Sequence, residues 1–177
     1  MERYIAFLRG INVSGQKVIR MEALRKVFVE NGFTHVKTYI QSGNVIFNSD
    51  ETEIDELIQK IEEIIETHFG FHTDIILRKH VEIESILKTL QISRSKSAED
   101  KKYYITFLQK ESKESLIVPL FSKNKDVEVI HQNNKDFVSI SHPFKGNYGF
   151  PNAFIELLTA IPATTRNPNT LKKLLEL

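Results

Sequence analysis

Apolar residues in the segment 1–79 follow two periods, one of two residues, typical of strands, and one near 3.6, typical of helices. The stretches RYIAFLRG, VKTYIQ, NVIFN and FHTDIILR predict strands, and MEALRKVFVEN and the segment from Ile54 to Ile65 predict amphipathic helices. Ser42-Gly43 separates the second and third strands, where glycine supplies the positive φ of a tight turn. The resulting order, β-α-β-β-α-β, is that of a ferredoxin-like unit.

The same order recurs, less clearly, in the segment 102–177. YYITFLQ, VEVIHQ, DFVSISH and ATTR predict strands, and NAFIELLTAI and PNTLKKLLEL predict helices. SKESLIVPLF predicts a short helix that is kinked or ended by Pro119. Because YYITFLQ also resembles RYIAFLR, we interpret this segment as a degenerate duplicate of the first, with an additional C-terminal helix.

Between the two repeats the chain carries a short predicted helix and then QISRSKSAEDKK, which is polar, serine-rich and without periodicity, as linkers are. We therefore predict an α+β fold with a ferredoxin-like unit at 1–79, a helix and polar linker at 80–101, and a second ferredoxin-like unit at 102–177. Both faces of the first predicted sheet are apolar. We expect the face without helices to be covered by the second unit or by another subunit.

Composition narrows the possible chemistry. The chain has no cysteine, which excludes thiol nucleophiles, disulfides, iron–sulfur clusters and thiolate zinc sites. Its 24 Lys and Arg against 23 Asp and Glu give a net charge of +1, and strong nucleic-acid binders are usually more basic. No apolar stretch approaches the roughly 18 residues of a membrane span, and the N-terminus lacks the apolar core of a signal peptide. We expect a cytoplasmic protein with no membrane partner.

Ferredoxin-like topology would bring three connections of the first unit, at 10–20, 41–44 and 68–72, to one end of its sheet. The connection 10–20 is long and carries no acid. Guanidinium and amide groups there suit a phosphate or carboxylate. The candidate ligand-binding residues at this end are Arg9, Asn12, Gln41, Ser42 and Asn44. As an alternative, Ser42 and Asn44 only stabilise the turn, and Arg9 is a surface residue or a salt-bridge partner.

A second polar group is predicted at one end of the second sheet, where HPFKGNYGFP and RNPNT follow strands. Its candidate ligand-binding residues are Lys145, Arg166 and Asn167, which line a second site or join the first one across the interface. The candidate catalytic residue is His142 as a general base, with Arg9 or Arg166 stabilising charge. The alternatives are that Asn167 caps the final helix and that His142 is a turn residue before Pro143.

No metal site and no cofactor are predicted. His68 and His72 have the i,i+4 spacing of a helical metal site, but Gly70 breaks the helix between them. The chain also lacks a Walker loop and a serine nucleophile elbow.

The best hypothesis from the residues is a binding protein for a small anionic ligand that carries phosphate or carboxylate. Three alternatives stay open. The first is an enzyme acting on a phosphorylated substrate. The second is a nucleic-acid-binding module, although NVIFN lacks the glycine-rich basic pattern of an RNA-binding third strand. The third is a protein-interaction or oligomerisation domain, including a homo-oligomer.

Three stretches, YIAFLRGINVSGQKVIRMEALRKVF, GFTHVKTYIQSGNVIF and TTRNPNTLKKLLEL, resemble the bacterial domain-of-unknown-function family 1697. The family pattern reads aromatic-x-x-F-L-R-G-I-N-V-G-G, T-Y-I-Q-S-G-N-V and T-x-R-N, and this chain departs from it at Ser14. The resemblance implies an α+β protein with two ferredoxin-like parts and implies no activity. Its motif positions are Arg9, Gly10, Asn12, Gly15, Gln41, Ser42, Gly43, Asn44, Arg166 and Asn167.

Overall fold

The computed structural model describes residues 1–95, 101–113 and 116–177. Over these residues, helices and antiparallel sheets form an α+β protein, as predicted. Contacts divide the chain into two compact units. The first consists of Met1–Ile83 together with Lys173–Leu177, and the second of Glu84–Lys172. The predicted division into domains at residues 79 and 101 stays a prediction.

The first unit has a four-stranded sheet and two helices in the predicted order. Its elements are β1 (Glu2–Leu8), α1 (Met21–Glu30), β2 (Thr34–Tyr39), β3 (Asn44–Ser49), α2 (Ile54–Phe69) and β4 (Ile75–Lys79). The strands lie in the order β2-β3-β1-β4, and every neighbouring pair is antiparallel. The C-terminal ends of β1 and α2 and the β2–β3 connection therefore share one end of the sheet.

Both faces of this sheet are buried, as the two-sided apolar pattern predicts. On one face a core cluster joins the sheet to α1 and α2, with the rings of Phe28, Phe33 and Phe47 within 4.8–5.5 Å of one another. Packed rings of this kind contribute stability beyond the area they bury. The opposite face carries Ile5, Phe7, Ile46, Ile76 and the fully buried guanidinium residue Arg78.

The connection between β2 and β3 is longer than predicted. Tyr39 pairs with Asn44, so residues 40–43 form the turn rather than Ser42-Gly43 alone. Ile40 has φ 50°, which ends β2 two residues earlier than the apolar pattern of VKTYIQ suggests. Gly43 has φ 73°, and its carbonyl accepts a 2.8 Å hydrogen bond from the Leu8 N–H.

Helix α3 (His80–Ser95) follows, and the unit boundary falls within it. It is longer than the short helix that was predicted and takes in the beginning of QISRSKSAEDKK. The rest of the predicted linker falls largely on residues 96–100, which lie outside the described residues.

The second unit is built on a five-stranded antiparallel sheet. Its further elements are β5 (Lys102–Leu108), β6 (Leu120–Phe121), β7 (Val127–Gln132), β8 (Asp136–Ser141), β9 (Pro143–Phe144), β10 (Asn147–Tyr148), α4 (Pro151–Thr159) and β11 (Ala163–Arg166). Helix α5 (Pro168–Leu175) begins in this unit, and its residues from Lys173 onward belong to the first. The sheet order is β11-β5-β8-β7-β6, and β9 and β10 form a separate hairpin. Helix α4 packs on one face through Ile155, against Leu108 and Phe137.

The helix predicted over SKESLIVPLF is wrong for the described part of that segment. Residues 111–113 and 116–119 are irregular, and Leu120–Phe121 form β6, paired with β7. The apolar residues 116–118 are consecutive and give no helical stripe, and Ile117 is 91 % exposed. Residues 114–115 lie outside the described residues.

Among the described residues, no helix combines the length and apolar character needed to cross a membrane.

Candidate functional site

Three connections of the first unit meet at one end of its sheet, and we call the residues Arg9–Arg20, 40–43 and 70–74 the loop end. The backbone N–H of Arg9 donates to the Asp74 carbonyl at 3.0 Å, and the Thr73 hydroxyl donates to the Arg9 carbonyl at 2.5 Å. The Lys17 ammonium donates to the His72 carbonyl at 2.7 Å. The first connection is therefore fixed to the segment before β4, as the topology predicted.

Asn12 fixes the same connection to the hairpin. Its Nδ2 donates to the carbonyls of Ile19 at 3.0 Å and Gln41 at 2.8 Å. Its Oδ1 accepts the Ile19 N–H at 2.8 Å. Because the carboxamide is bonded to the protein's own backbone on both sides, Asn12 positions the loops around the site.

Asn44 and Ser42 hydrogen-bond to each other across the hairpin turn. Asn44 is fully buried, and its Nδ2 donates to the Tyr39 carbonyl at 3.0 Å and to the Ser42 Oγ at 2.9 Å. Gln41 and Ser42 are exposed. The structure thus places Asn44 at the buried base of the turn, as the first residue of β3, and leaves Gln41 and Ser42 exposed.

Arg9 lies at the rim of the loop end in an ionic cluster. Its Nη1 is 3.3 Å from Asp74 Oδ2, and His72 Nε2 is 3.6 Å from Asp74 Oδ1. The three side chains are 40 %, 55 % and 27 % exposed for Arg9, His72 and Asp74. Sequence reasoning missed Asp74, since a single acid directly before a strand carries no pattern of its own.

His142, the candidate catalytic base, follows β8 and pairs with a carboxylate. Its Nε2 is 2.8 Å from Glu128 Oε2, and its backbone N–H donates to the Asp126 carbonyl at 2.8 Å. A histidine oriented by a carboxylate is the arrangement of a general base. The catalytic role of His142 stays a prediction.

Arg166 ends β11 and folds back on its own strand. Its Nη1 donates to Thr164 Oγ1 at 2.6 Å and to the Thr165 carbonyl at 2.9 Å. Burial lowers the pKa of Arg166 to about 10. In the register Arg166 lies level with Ile105 and Val138, and two strand spacings, about 10 Å, separate β11 from β8.

Asn167 caps α5. Its Oδ1 accepts the Thr170 N–H at 2.8 Å, and Pro168 occupies the first helical position. The contacts of Asn167 are therefore those of a helix cap, and a ligand-binding role for it stays a prediction.

Lys145 lies at the tip of the β9–β10 hairpin, on an exposed surface of aromatic rings and lysines. Its Nζ is 5.3 Å from the centroid of Phe144, and Lys102 Nζ is 3.3 Å from the centroid of Tyr148. Phe150 makes a T-shaped contact with Tyr104 and is 57 % exposed. We call Lys102, Phe144, Lys145, Tyr148 and Phe150 the aromatic–lysine surface.

A shallow cleft of about 260 Å³ lies elsewhere in the first unit, between the end of α1 and α2. Its lining includes Lys60, Glu63 and His68. The cleft contains none of the predicted site residues, and Lys60 is engaged over the ring of Phe33 at 4.9 Å. We therefore place the candidate site at the loop end.

Fold and site together describe an α+β protein with a polar, hydrogen-bonded loop end. The chain belongs to the family described as "Protein of unknown function (DUF1697)", whose match covers residues 1–137. Among solved structures it is similar to a conserved bacterial protein, SP0830 from Streptococcus pneumoniae, with 23 % identity, a TM-score of 0.68, and coverage of 99 % of this chain and 97 % of that one. No curated protein matches. The family membership predicted from the sequence is confirmed, and neither comparison names an activity.

Proposed function

We propose that the protein binds a small anionic ligand, bearing phosphate or carboxylate, at the loop end of its first unit. The main support for this proposal is that two cationic side chains, Arg9 and Lys17, both bond to the short segment 72–74. The Arg9 guanidinium pairs with Asp74, and the Lys17 ammonium bonds to the carbonyl of His72, two residues earlier. Gln41 and Ser42 add exposed polar groups from the neighbouring hairpin.

The loop end is largely ordered before a ligand binds, so binding should cost little conformational entropy. Asn12 bonds three backbone groups of two connections, so these loops have few alternative arrangements to lose on binding. Arg9 offers a planar fork of donors that matches a carboxylate or phosphate, and it is 40 % exposed. In this proposal Asn12 and Asn44 position the site, and Arg9 and Lys17 contact the ligand.

A thermal-shift screen tests the proposal with inorganic phosphate, nucleotides, sugar phosphates and organic acids. A ligand at a hundredfold excess over its Kd stabilises the folded state by about 2.7 kcal/mol. We expect at least one anion to raise the unfolding temperature, with and without a chelator.

Arg9→Ala should abolish the shift produced by that anion. The matched control is Lys26→Ala on α1, which removes a surface cation paired with Glu30 at 3.7 Å, away from the loop end. Failure of every anion on the parent protein, or an equal shift in Arg9→Ala and Lys26→Ala, would rule the proposal out. The proposed function includes a cytoplasmic location, where such anions are abundant.

We also propose that the two units are ferredoxin-like and arose by duplication. Support comes from the strand orders. In the first unit the order is β2-β3-β1-β4, and in the second it is β7-β8-β5-β11 with β6 added at the edge. If β5, β7, β8 and β11 correspond to β1 to β4, then α4 corresponds to α2, and the segment around β6 stands in place of α1.

A second candidate function is binding of single-stranded nucleic acid, and the aromatic–lysine surface of the second unit favours it. Its rings Phe144, Tyr148 and Phe150 are 37 %, 50 % and 57 % exposed. Exposed rings flanked by lysines suit base stacking and phosphate contact. The net charge of +1 is the observation against strong binding.

Fluorescence anisotropy with labelled single-stranded oligonucleotides separates this function from the first. Binding at the surface should weaken with salt, with a slope of about 0.7 per phosphate contacted. Compared with wild type at the same salt concentration, Tyr148→Ala should weaken oligonucleotide binding. Leu157→Ala, which removes another exposed apolar side chain, should not. Equal binding by both variants would exclude the aromatic–lysine surface.

A further inference from the structure

We propose that Glu62, His72 and Asp74 form a binding site for a divalent first-row transition metal ion such as Zn²⁺. Glu62 comes from α2, and His72 and Asp74 come from the connection between α2 and β4. One ligand atom from each side chain lies within 4.8 Å of the other two. His72 Nε2 and Asp74 Oδ1 are 3.6 Å apart.

These separations are close to those of a bound site. Zinc bonds of 2.0–2.2 Å to nitrogen and oxygen place tetrahedral ligand atoms about 3.4 Å apart. The histidine–aspartate distance already matches, and the largest separation exceeds the bound value by no more than about 1.4 Å. Such an adjustment is within the range of the partly exposed Glu62 side chain.

The donor set selects the class of metal. One imidazole nitrogen with two carboxylate oxygens suits Zn²⁺, Mn²⁺, Fe²⁺ or Co²⁺. Ca²⁺ and Mg²⁺ prefer oxygen ligands alone. Three protein ligands leave at least one position of the ion to an exogenous group, which is the pattern of catalytic rather than structural zinc sites.

Each carboxylate is held by a group outside the set of three ligands. The backbone N–H of Ile75 donates to Glu62 Oε1 at 3.0 Å, and Arg9 Nη1 donates to Asp74 Oδ2 at 3.3 Å. Outer hydrogen bonds of this kind orient metal-binding carboxylates and are worth about 10–100-fold in affinity. Because Arg9 contacts Oδ2, it leaves the Oδ1 atom on the side of His72.

Electrostatics also favour a cation here. Two carboxylates lie within 4.8 Å of each other, and like charges at this distance repel. A divalent ion bound by the two carboxylates would offset this repulsion. Metal binding needs only these residues and does not depend on the anionic ligand proposed above.

The test is titration of the chelator-treated full chain with Zn²⁺ alone by calorimetry and with Co²⁺ alone by visible absorption. We expect saturable binding of a single equivalent and ligand-field bands that report nitrogen and oxygen donors. No anion of the thermal-shift screen is present, so failure of the anion proposal leaves this result standing, and the reverse also holds.

His72→Ala and Glu62→Gln should each weaken binding at least tenfold, because each removes or neutralises a direct ligand. His68→Ala is the matched control, since His68 is a neighbouring histidine whose Nδ1 lies 2.9 Å from the Ile64 carbonyl of its own helix. His72 is 55 % exposed, so its truncation leaves the core intact. Absence of saturable binding, or equal affinity in His72→Ala and His68→Ala, would overturn the proposal.

Discussion

Gly43 holds the β2–β3 turn against the first connection, and two independent constraints favour glycine there. Its φ is +73°, and a Cβ would lie 2.9 Å from carbon atoms of both Ile11 and Leu8. We expect Gly43→Ala to lower the free energy of unfolding by about 2–4 kcal/mol, from the left-handed backbone and the overpacking together. Urea denaturation measures this loss.

Gly15→Ala is the control. Gly15 has nearly the same φ, +74°, but a Cβ there would meet no described atom within 4 Å beyond its chain neighbours. Only the conformational cost of about 1 kcal/mol applies at this position. Equal losses in the two variants would show that crowding at Gly43 contributes nothing.

Tyr4 is fully buried on β1, and its hydroxyl donates to the Glu51 carbonyl at 3.2 Å. Burial raises the pKa of the Tyr4 hydroxyl above 10.0 in the folded state. The unfolded chain therefore loses this proton first as the pH rises, so stability is fully present below pH 10 and is lost above it. We expect wild type to lose stability relative to Tyr4→Phe above pH 10, measured by urea denaturation across that range.

The control for Tyr4 is the same pair of proteins between about pH 6 and 9, where their difference should be constant because the tyrosine ionises in neither state. A difference that is flat through the alkaline range would contradict the raised pKa.

At the residue scale, the amino-acid type did not show whether a polar side chain contacts a ligand or the protein itself. Asn12, Asn44 and Asn167 were all candidates for a ligand, and each makes hydrogen bonds within the protein. Amide side chains bond to backbone groups as readily as to ligands, so residue type alone does not separate the two roles. Glu62 and Asp74 were missed because no motif joins them along the chain, and only the fold of the connection brings them together.

At the scale of elements, the start of α5 depends on one side chain. Asn167 Oδ1 accepts the Thr170 N–H, which has no intrahelical partner at this position. We expect Asn167→Ala to lower the free energy of unfolding by about 1 kcal/mol. Chemical denaturation of this variant beside wild type measures it.

Asn169→Ala is the matched control, because Asn169 is exposed and lies inside the first turn of the same helix rather than at its cap. It should change stability by no more than about 0.5 kcal/mol, in either direction. If Asn169→Ala lowered the free energy of unfolding as much as Asn167→Ala, the effect would come from replacing an asparagine with alanine rather than from loss of the cap.

The elements with a clear period were predictable, and those without one were not. Helix α2 carries apolar residues at helical spacing, with Leu57, Ile61, Ile64 and Ile65 buried, and was predicted from residue 54 onward. The segment around β6 has consecutive apolar residues followed by Pro119, and a short run of this kind does not distinguish helix from strand. The β9–β10 hairpin has two residues per strand, too few to show any period.

At the scale of the whole molecule, burial on both sides of a sheet should slow backbone opening. β1 and β3 are interior strands of the first sheet, and β5 and β8 are interior strands of the second. We expect amides of these four strands to exchange most slowly with deuterium, and those of β9 and β10 to exchange fast. Mass-spectrometric hydrogen exchange measures both, and fast exchange throughout β1 and β3 would contradict the observed burial.

The first unit is discontinuous along the chain, because Lys173–Leu177 belong to it and the whole of the second unit intervenes. Within the first unit, Lys37 donates to the Leu177 carbonyl, and the His80 ring lies 3.4 Å from the Leu175 carbonyl. A ribosome adds about 5–20 residues per second. Lys173–Leu177 are therefore synthesised several seconds after the rest of the first unit. Until the second unit has been synthesised, the nascent first unit lacks these contacts.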